Sequence, residues 1–265
     1  MKWTEDKIKY LIDNYQTTDN KEIALSLGCT EISVGHKACR LGIKRNKSNI
    51  RKYHFNENYF DTLTQTGAYI LGYTMADGCI NTSKKNHYRI SYHINPQDIE
   101  ILDLIRTELK LTQKYRFNNT LNKQTNKRYV SVQLQFSSQK IYNALQRYGI
   151  CNRKTGLESI DNIPKEFLLS FILGYFDGDG CCSISSNGRY QFKIVSANKI
   201  FLEAIQAIFN GLGRVSNHSS IYSWSVTGIS NIASIGRTMY KNTNIGLSRK
   251  KNRMLQVIER DNNEC

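Results

Sequence analysis

The sequence predicts an α+β fold of two pseudo-symmetric αββαββα repeats, preceded by a small three-helix module. Three observations predict it. One stretch recurs 102 residues later, each copy is followed by the same succession of alternating strands and amphipathic helices, and the first 45 residues carry only helical periodicity.

In the N-terminal module, Ile8, Leu11, Ile12 and Tyr15 recur at helical spacing after Thr4, a suitable N-cap. Residues 20–34 then read as a helix-turn-helix. Ala24 is small where two helices would cross, Gly28 permits a positive φ in the turn, and Val34 anchors the second helix. Thr30 would cap that second helix, leaving Glu31, His36, Lys37 and Arg40 on its outer face for groove and phosphate contacts. Residues 1–45 are therefore expected to be a DNA-binding domain. Residues 46–54 lack periodicity and read as a basic linker, which would reach ~30 Å if extended.

From Phe55 the chain repeats itself. Gly67 to Cys79 is echoed by Ser170 to Cys181, setting a first repeat at 55–153, an inter-repeat linker at 154–166, a second repeat at 167–258 and a tail at 259–265. After the first copy come Tyr88, Ile90, Tyr92 and Ile94 alternating with Arg89, Ser91 and His93, then a helix over about Gln97–Leu109. A hairpin follows in which Val130, Val132, Leu134 and Phe136 alternate with Ser131, Gln133 and Gln135, closed by a helix over about Ser138–Tyr148. After the second copy, Tyr190, Phe192 and Ile194 alternate with Arg189, Gln191 and Lys193 before a helix over about Lys199–Leu212. Tyr222, Trp224 and Val226 then alternate with Ser223, Ser225 and Thr227 before a closing helix over about Asn231–Tyr240.

One face of each predicted sheet is thus aliphatic and aromatic, and the other is polar and short of acids. The chain carries 37 Lys and Arg against 22 Asp and Glu, a formal charge of +15. The basic residues are spread among aromatic and amide side chains, which favours an extended nucleic-acid surface over one membrane-binding helix. Arg116 and Arg128 join the polar strand residues as candidate contacts. The longest near-continuous apolar run, Phe167 to Phe176, falls far short of the roughly 20 residues that span a bilayer. Met1 to Asp6 lacks an apolar core, so a cytoplasmic protein, not a secreted one, is expected. Seven Cys, none in a CxxC pair, argue against a disulfide framework or zinc site.

The duplicated helix carries the chemistry. Gly72 with Ala76, and Gly174 with Gly178, put small residues four apart, so two such helices can meet backbone to backbone. Asp77 and Asp179 would then arrive together at adjacent helix C-termini, with Gly78 and Gly180 expected as left-handed caps. Carboxylates are unfavourable at the negative end of a helix dipole, so a cation should reside there. Two carboxylates with backbone carbonyls form an all-oxygen site suited to Mg²⁺.

Ile-Leu-Gly-Tyr-Thr-Met-Ala-Asp-Gly (70–78) and Ile-Leu-Gly-Tyr-Phe-Asp-Gly-Asp-Gly (172–180) resemble the two motifs of a single-chain LAGLIDADG homing endonuclease. The resemblance covers roughly residues 55–258. It implies a monomeric pseudo-dimer whose sheets form a saddle on double-stranded DNA. It also implies divalent-metal hydrolysis of one phosphodiester per strand across the minor groove, leaving short 3′ overhangs. The acidic eighth motif position, Asp77 and Asp179 here, would bind Mg²⁺, with Mn²⁺ or Ca²⁺ able to occupy the site, and the carbonyls of Ala76 and Gly178 would complete it. The often acidic sixth position is Met75 in one copy and Asp177 in the other. The basic residue used near each active site points to Lys154 and Lys250, and Asn95 and Ser196 could position water. A bacterial or phage setting fits better than an organellar one. A non-catalytic DNA-binding regulator and an intron RNA maturase are the rival readings.

Overall fold

The computed structural model describes residues 2–45, 53–82, 88–122, 126–184 and 188–264, so most of the predicted linker, residues 46–52, lies outside the described residues. The chain divides into two compact units, residues 1–54 and 55–265.

The first unit has three helices, α1 (Glu5–Asn14), α2 (Asn20–Leu27) and α3 (Glu31–Arg40). Local chemistry sets each end. The side chains of Thr4, Asp19 and Thr30 accept from backbone amides in the first turns, and Gly28 ends α2 at φ 62°. Leu11, Ile23, Ala24, Val34 and Ala38 make the small core. Arg45 closes the unit: its guanidinium stacks on the Tyr15 ring and donates to the carbonyls of Tyr15 and Thr18 and to the side chain of Asn20.

The second unit contains both repeats. The first runs α4 (Gln65–Asp77), β1 (Gly78–Asn81), β2 (Arg89–Ile94), α5 (Ile99–Glu108), β3 (Arg116–Asn122), β4 (Lys127–Ser137) and α6 (Gln139–Arg147). The second runs α7 (Leu168–Asp179), β5 (Gly180–Ile184), β6 (Tyr190–Ser196), α8 (Lys199–Ile208), β7 (Arg214–His218), β8 (Ile221–Thr227) and α9 (Ile229–Tyr240). Each repeat therefore has the predicted order, and its four strands form one antiparallel sheet, β1-β2-β4-β3 in the first and β5-β6-β8-β7 in the second. The apolar faces carry Ile90, Tyr92, Val132 and Leu134 in one sheet and Phe192, Ile194, Trp224 and Val226 in the other, all buried. No described helix is long and apolar enough to cross a membrane, and the six described cysteines are free thiols.

An additional helix, α10 (Ser248–Glu264), packs along α9 and continues through residues read from the sequence as a tail. Its buried stripe is Lys250, Met254, Val257 and Asp261. Two of those four positions are charged, so no apolar repeat announces the helix. Arg249 makes a two-pronged ion pair with Asp98 at 2.7 and 2.9 Å, and Glu100 accepts from the Ser248 amide and hydroxyl, which clamps the helix to the first repeat.

Helices α4 and α7 pack through their glycines. A Cβ on Gly72 would lie 1.9 Å from the Phe171 carbonyl oxygen, and one on Gly174 would lie 2.0 Å from that of Tyr69. One on Gly178 would meet the Ala76 methyl at 2.3 Å, so all the paired small residues lie in the contact. Gly78 and Gly180 differ from expectation. Both are extended, with φ −74° and −110°, and lead straight into β1 and β5. They are glycine because a Cβ there would strike the preceding turn, 2.7 Å from the Thr74 carbonyl oxygen in one case and 2.6 Å from that of Phe176 in the other.

Because backbone cannot yield to a methyl group, Gly72→Ala and Gly174→Ala should each destabilise the second unit by about 3 kcal/mol or more. Gly35→Ala on α3 is the contrast: its methyl would meet only Asn20 Nδ2 at 3.7 Å. That substitution should be neutral or stabilise the first unit by up to about 1 kcal/mol. Urea titrations of the three variants check this, and comparable losses in all three would refute the steric account.

Candidate active site

The helix crossing brings Asp77 and Asp179 to neighbouring ends of α4 and α7, close enough that the Asp77 charge acts on Asp179. Asp77 opens to solvent and Asp179 is half-buried. Desolvation raises both carboxyl pKa values above the ordinary range, and for Asp179 the neighbouring charge of Asp77 raises it further. Opposing this, Tyr73 and Tyr175, one turn earlier on each helix, lower the carboxyl pKa values from close by, although the Tyr175 hydroxyl donates to the Val195 carbonyl at 3.1 Å, and Lys154 and Lys250 supply positive charge. The two tyrosines were not singled out from the sequence. Their spacing of four before each aspartate was the available signal.

The lysines answer the electrostatic problem of two adjacent helix C-termini. Lys154 Nζ donates to the Ala76 carbonyl at 3.0 Å. Lys250 Nζ donates to the carbonyls of Phe176, Asp177 and Gly180 at 2.8, 2.7 and 2.6 Å, with Gly178 at 3.3 Å. Desolvation lowers both ammonium pKa values, while the surrounding carboxylates raise them. No cluster of three His, Cys, Asp or Glu able to hold a metal exists among the described residues. A divalent cation would therefore depend on the two aspartates with carbonyl, water and phosphate oxygens. Two carboxylates held above their ordinary pKa beside helix-end carbonyls fit such a hard cation.

The two water-positioning candidates are engaged locally. Asn95 Oδ1 accepts from the Gln97 amide, and Ser196 Oγ accepts from the Asn198 amide. Both side chains shape the turn after the second strand.

Strand register places most of the predicted surface residues together. In the first sheet, Arg89 lies opposite Ser137, Ser91 opposite Gln135, His93 opposite Gln133, and Gln133 opposite Arg116, so these share the polar face. Gln133 and Gln135 hydrogen-bond each other at 3.0 Å. In the second sheet, Lys193 lies opposite Ser225, and Ser225 opposite Arg214. Gln191, Lys193, Arg214, Ser216, His218 and Ser225 line a trough of about 420 Å³. Arg189 is exposed just before β6. Among the described strand residues, neither polar face carries an acid.

Three expectations are corrected. Arg128 pairs with Leu121 in unbroken register, so it lies on the face opposite Gln133, where the β3–β4 hairpin outruns the core. Ser91 and Ser223 are on the polar faces but are 5% and 1% exposed, their short side chains covered by longer neighbours. Ser223 Oγ also bonds His218 Nε2 at 2.9 Å. Lys127, Tyr129, Arg214 and His218 occupy the polar faces unforeseen, because β7 and the start of β4 show little apolar alternation. On α3, Glu31, His36 and Arg40 are exposed as expected, while Lys37 is half-buried with Nζ 5.8 Å from the Trp3 ring centre. Ile32, 71% exposed on that helix, adds an apolar side chain to its outer surface.

Residues 166–259 match the LAGLIDADG-like domain family. The fold is that of the LAGLIDADG homing endonucleases. The I-LtrWI LAGLIDADG homing endonuclease bound to target DNA superimposes with a TM-score of 0.52 at 18% identity, covering 78% of this chain and 92% of that one. I-GzeII in complex with its DNA target gives 0.53 at 12% identity, covering 77% and 92%. I-SmaMI bound to uncleaved DNA in the presence of calcium ions gives 0.52 at 12% identity, covering 77% and 93%. In sequence, a DNA polymerase of Acanthamoeba polyphaga mimivirus is 23% identical over 189 residues, 66% of this chain, and the chain spans about 11% of that relative's length.

The second repeat places a buried acid where the first has an apolar side chain. Asp177, 2% exposed, stands where the first repeat has Met75. Its Oδ2 accepts from the Tyr69 hydroxyl at 2.6 Å and the Leu247 amide at 2.8 Å, and its Oδ1 has no partner among the described residues. Burial pushes its pKa up to about 6 from 3.8. A raised folded-state value means that Asp177 contributes stability fully below pH 4 and loses it as pH rises through 6. Relative to Asp177→Asn, the wild-type protein should thus lose on the order of 2 to 3 kcal/mol of unfolding free energy between pH 4 and 7. Urea titrations across that range measure it, and a pH-independent difference would contradict it.

Proposed function

We propose that the chain is a site-specific double-strand DNA endonuclease acting as a monomeric pseudo-dimer on double-stranded DNA. The observation that carries this reading is the placement of Asp77 and Asp179 side by side at adjacent helix ends, joined to two polar sheet faces without acids among their described strand residues in a chain of charge +15. A DNA-reading surface with a hydrolytic centre at its middle accounts for both features. A non-catalytic DNA-binding protein has no need of paired carboxylates. The likeness to homing endonucleases bound to DNA supports the same choice.

In this reading the polar strands lie against the duplex, with Arg89, His93, Arg116, Gln133, Gln135, Arg189, Gln191 and Lys193 contacting phosphates and base edges. Asp77 and Asp179, with the carbonyls of Ala76 and Gly178, would hold Mg²⁺. When bound, the cation supplies charge neutralisation at the scissile phosphates and activates water for attack. Tyr73 and Tyr175 orient the carboxylates, and a lysine stabilises charge growing on phosphate oxygens. One phosphodiester per strand is hydrolysed across the minor groove, leaving short 3′ overhangs.

Incubating the protein with fragmented genomic DNA and Mg²⁺ and mapping discrete ends tests the reading. Asp77→Asn and Asp179→Asn should each abolish double-strand cleavage while leaving specific binding within about threefold, since the sheet faces are untouched. Near wild-type cleavage by either variant would reject the assignment of the carboxylates.

The first unit is proposed to be a helix-turn-helix that binds DNA beside the core site through α3, its affinity adding by effective concentration. A chain beginning near Lys52 should lose affinity, show a footprint shorter by about one helical turn, and have a shallower salt dependence because fewer phosphates are neutralised. Footprinting and a salt titration on both chains decide it. An unchanged footprint and slope would mean that the module engages something else.

A further inference from the structure

Helix α3 carries a glycine that nothing inside its own unit calls for. The unit has three glycines, and two of them, Gly28 and Gly42, stand at φ +62° and +68°, where a side chain would be strained. Gly35 is different. It lies in mid-helix, where glycine is a poorer helix former than alanine, and a Cβ there would meet only Asn20 Nδ2 at 3.7 Å, an ordinary contact. The unit's own packing would accept alanine, so the bare backbone answers to a surface outside the unit.

The atom beside that opening is oriented from behind. Arg45 has donors only, and its Nη1 donates to Asn20 Oδ1 at 2.8 Å, which leaves Nδ2 as the end of the amide on the Gly35 side. Arg45 is itself held by the Tyr15 ring and by the carbonyls of Tyr15 and Thr18. Asn20 thus presents N–H donors beside a point on α3 that has no side chain.

At about 100° per residue, Gly35 lies to one side of buried Val34, while Ile32 and His36 lie nearly opposite it. Ile32 is 71% exposed, and His36 and Arg40 are exposed on the same side. An isolated exposed isoleucine is ordinary on a protein surface, and α3 exposes one large apolar side chain, too small a patch to hold a protein partner. Its position gives it meaning: it stands within one turn of a backbone opening flanked by a donor, among basic side chains. A surface that brings acceptor oxygens to Gly35 and a small apolar group to Ile32 is a DNA major groove, with phosphates on its wall and thymine methyl groups on its floor.

We propose that Ile32 selects a thymine by its 5-methyl group, and that Gly35 seats a phosphate of the groove wall against the α3 backbone, where Asn20 Nδ2 donates to it. The proposal rests on the helix-turn-helix reading of the first unit and gives that reading a base preference. Asn20 and Gly35 set the depth of the helix in the groove, and Ile32 reads at that depth.

The test uses the full chain and its mapped site, with each thymine in the flank protected by the first unit replaced in turn by uracil, which pairs identically and lacks the methyl group. One replacement should weaken wild-type binding by about fourfold, and the others by less than about 1.5-fold. Ile32→Ala should bind the unmodified duplex about as weakly as the wild type binds the uracil duplex, and should respond to that replacement by less than about 1.5-fold, as expected of two groups in contact. Gly35→Ala should weaken binding by about tenfold on either duplex without lowering the melting temperature of the first unit, because the added methyl meets phosphate and not protein. Binding that no uracil weakens, an equal response in Ile32→Ala, or undiminished binding by Gly35→Ala would overturn the proposal while the helix-turn-helix reading stands. A full-chain footprint no longer than that of the chain beginning near Lys52 would instead refute the helix-turn-helix reading and, with it, the base preference.

Discussion

The direct contact between the backbones of α4 and α7 is the constraint on which the rest of the second unit depends. At the crossing, the carbonyl oxygens of Phe171 and Tyr69 occupy the space where side chains on Gly72 and Gly174 would begin. Only two glycines facing each other allow this approach. The contact carries Asp77 and Asp179 to one place, and it leads each helix into the first strand of its own sheet, so the spacing of the carboxylates and the origin of both polar faces are set together.

The same contact creates an electrostatic demand. Two helix ends side by side present unsatisfied carbonyls and partial negative charge to one small volume, and each adds an aspartate. Lys154 and Lys250 meet part of that demand by donating to the carbonyls, while burial and, for Asp179, the charge of Asp77 hold both carboxyl pKa values above the ordinary range. The lysines hold carbonyls and leave both carboxylates without a lysine hydrogen bond among the described residues. The first repeat meets the demand with one bond from a turn, and the second with four bonds from a clamped helix.

How much of this the sequence disclosed depended on whether one strong pattern dominated each segment. The repeats, their element order, the glycine contact and the paired aspartates were legible because period-two alternation and a duplicated motif are hard to mistake. Helix α10 was not, since Lys250 and Asp261 occupy its inward stripe and disguise the periodicity. Gly78 and Gly180 were assigned a left-handed turn because that is the commonest use of glycine after a helix, whereas here the preceding turn's Thr74 and Phe176 exclude a side chain from an extended residue. Arg128 was placed by its charge, although counting along β4 from Val132 puts it on the other face.

The clamp between α10 and the first repeat also bears on how such a chain can be recombined. Were only the helix crossing to matter, either half could be exchanged for one from another protein of this fold that offers a glycine at the contact. Arg249 and Ser248, however, seek carboxylates at Asp98 and Glu100, which belong to the other half. A hybrid that keeps the second half must therefore import a first half with acids at both positions, and a hybrid that keeps the first half must import a cation for buried Asp98 and an acceptor for the Tyr69 hydroxyl, here Asp177. The duplication has become interlocked, and neither module is freely portable.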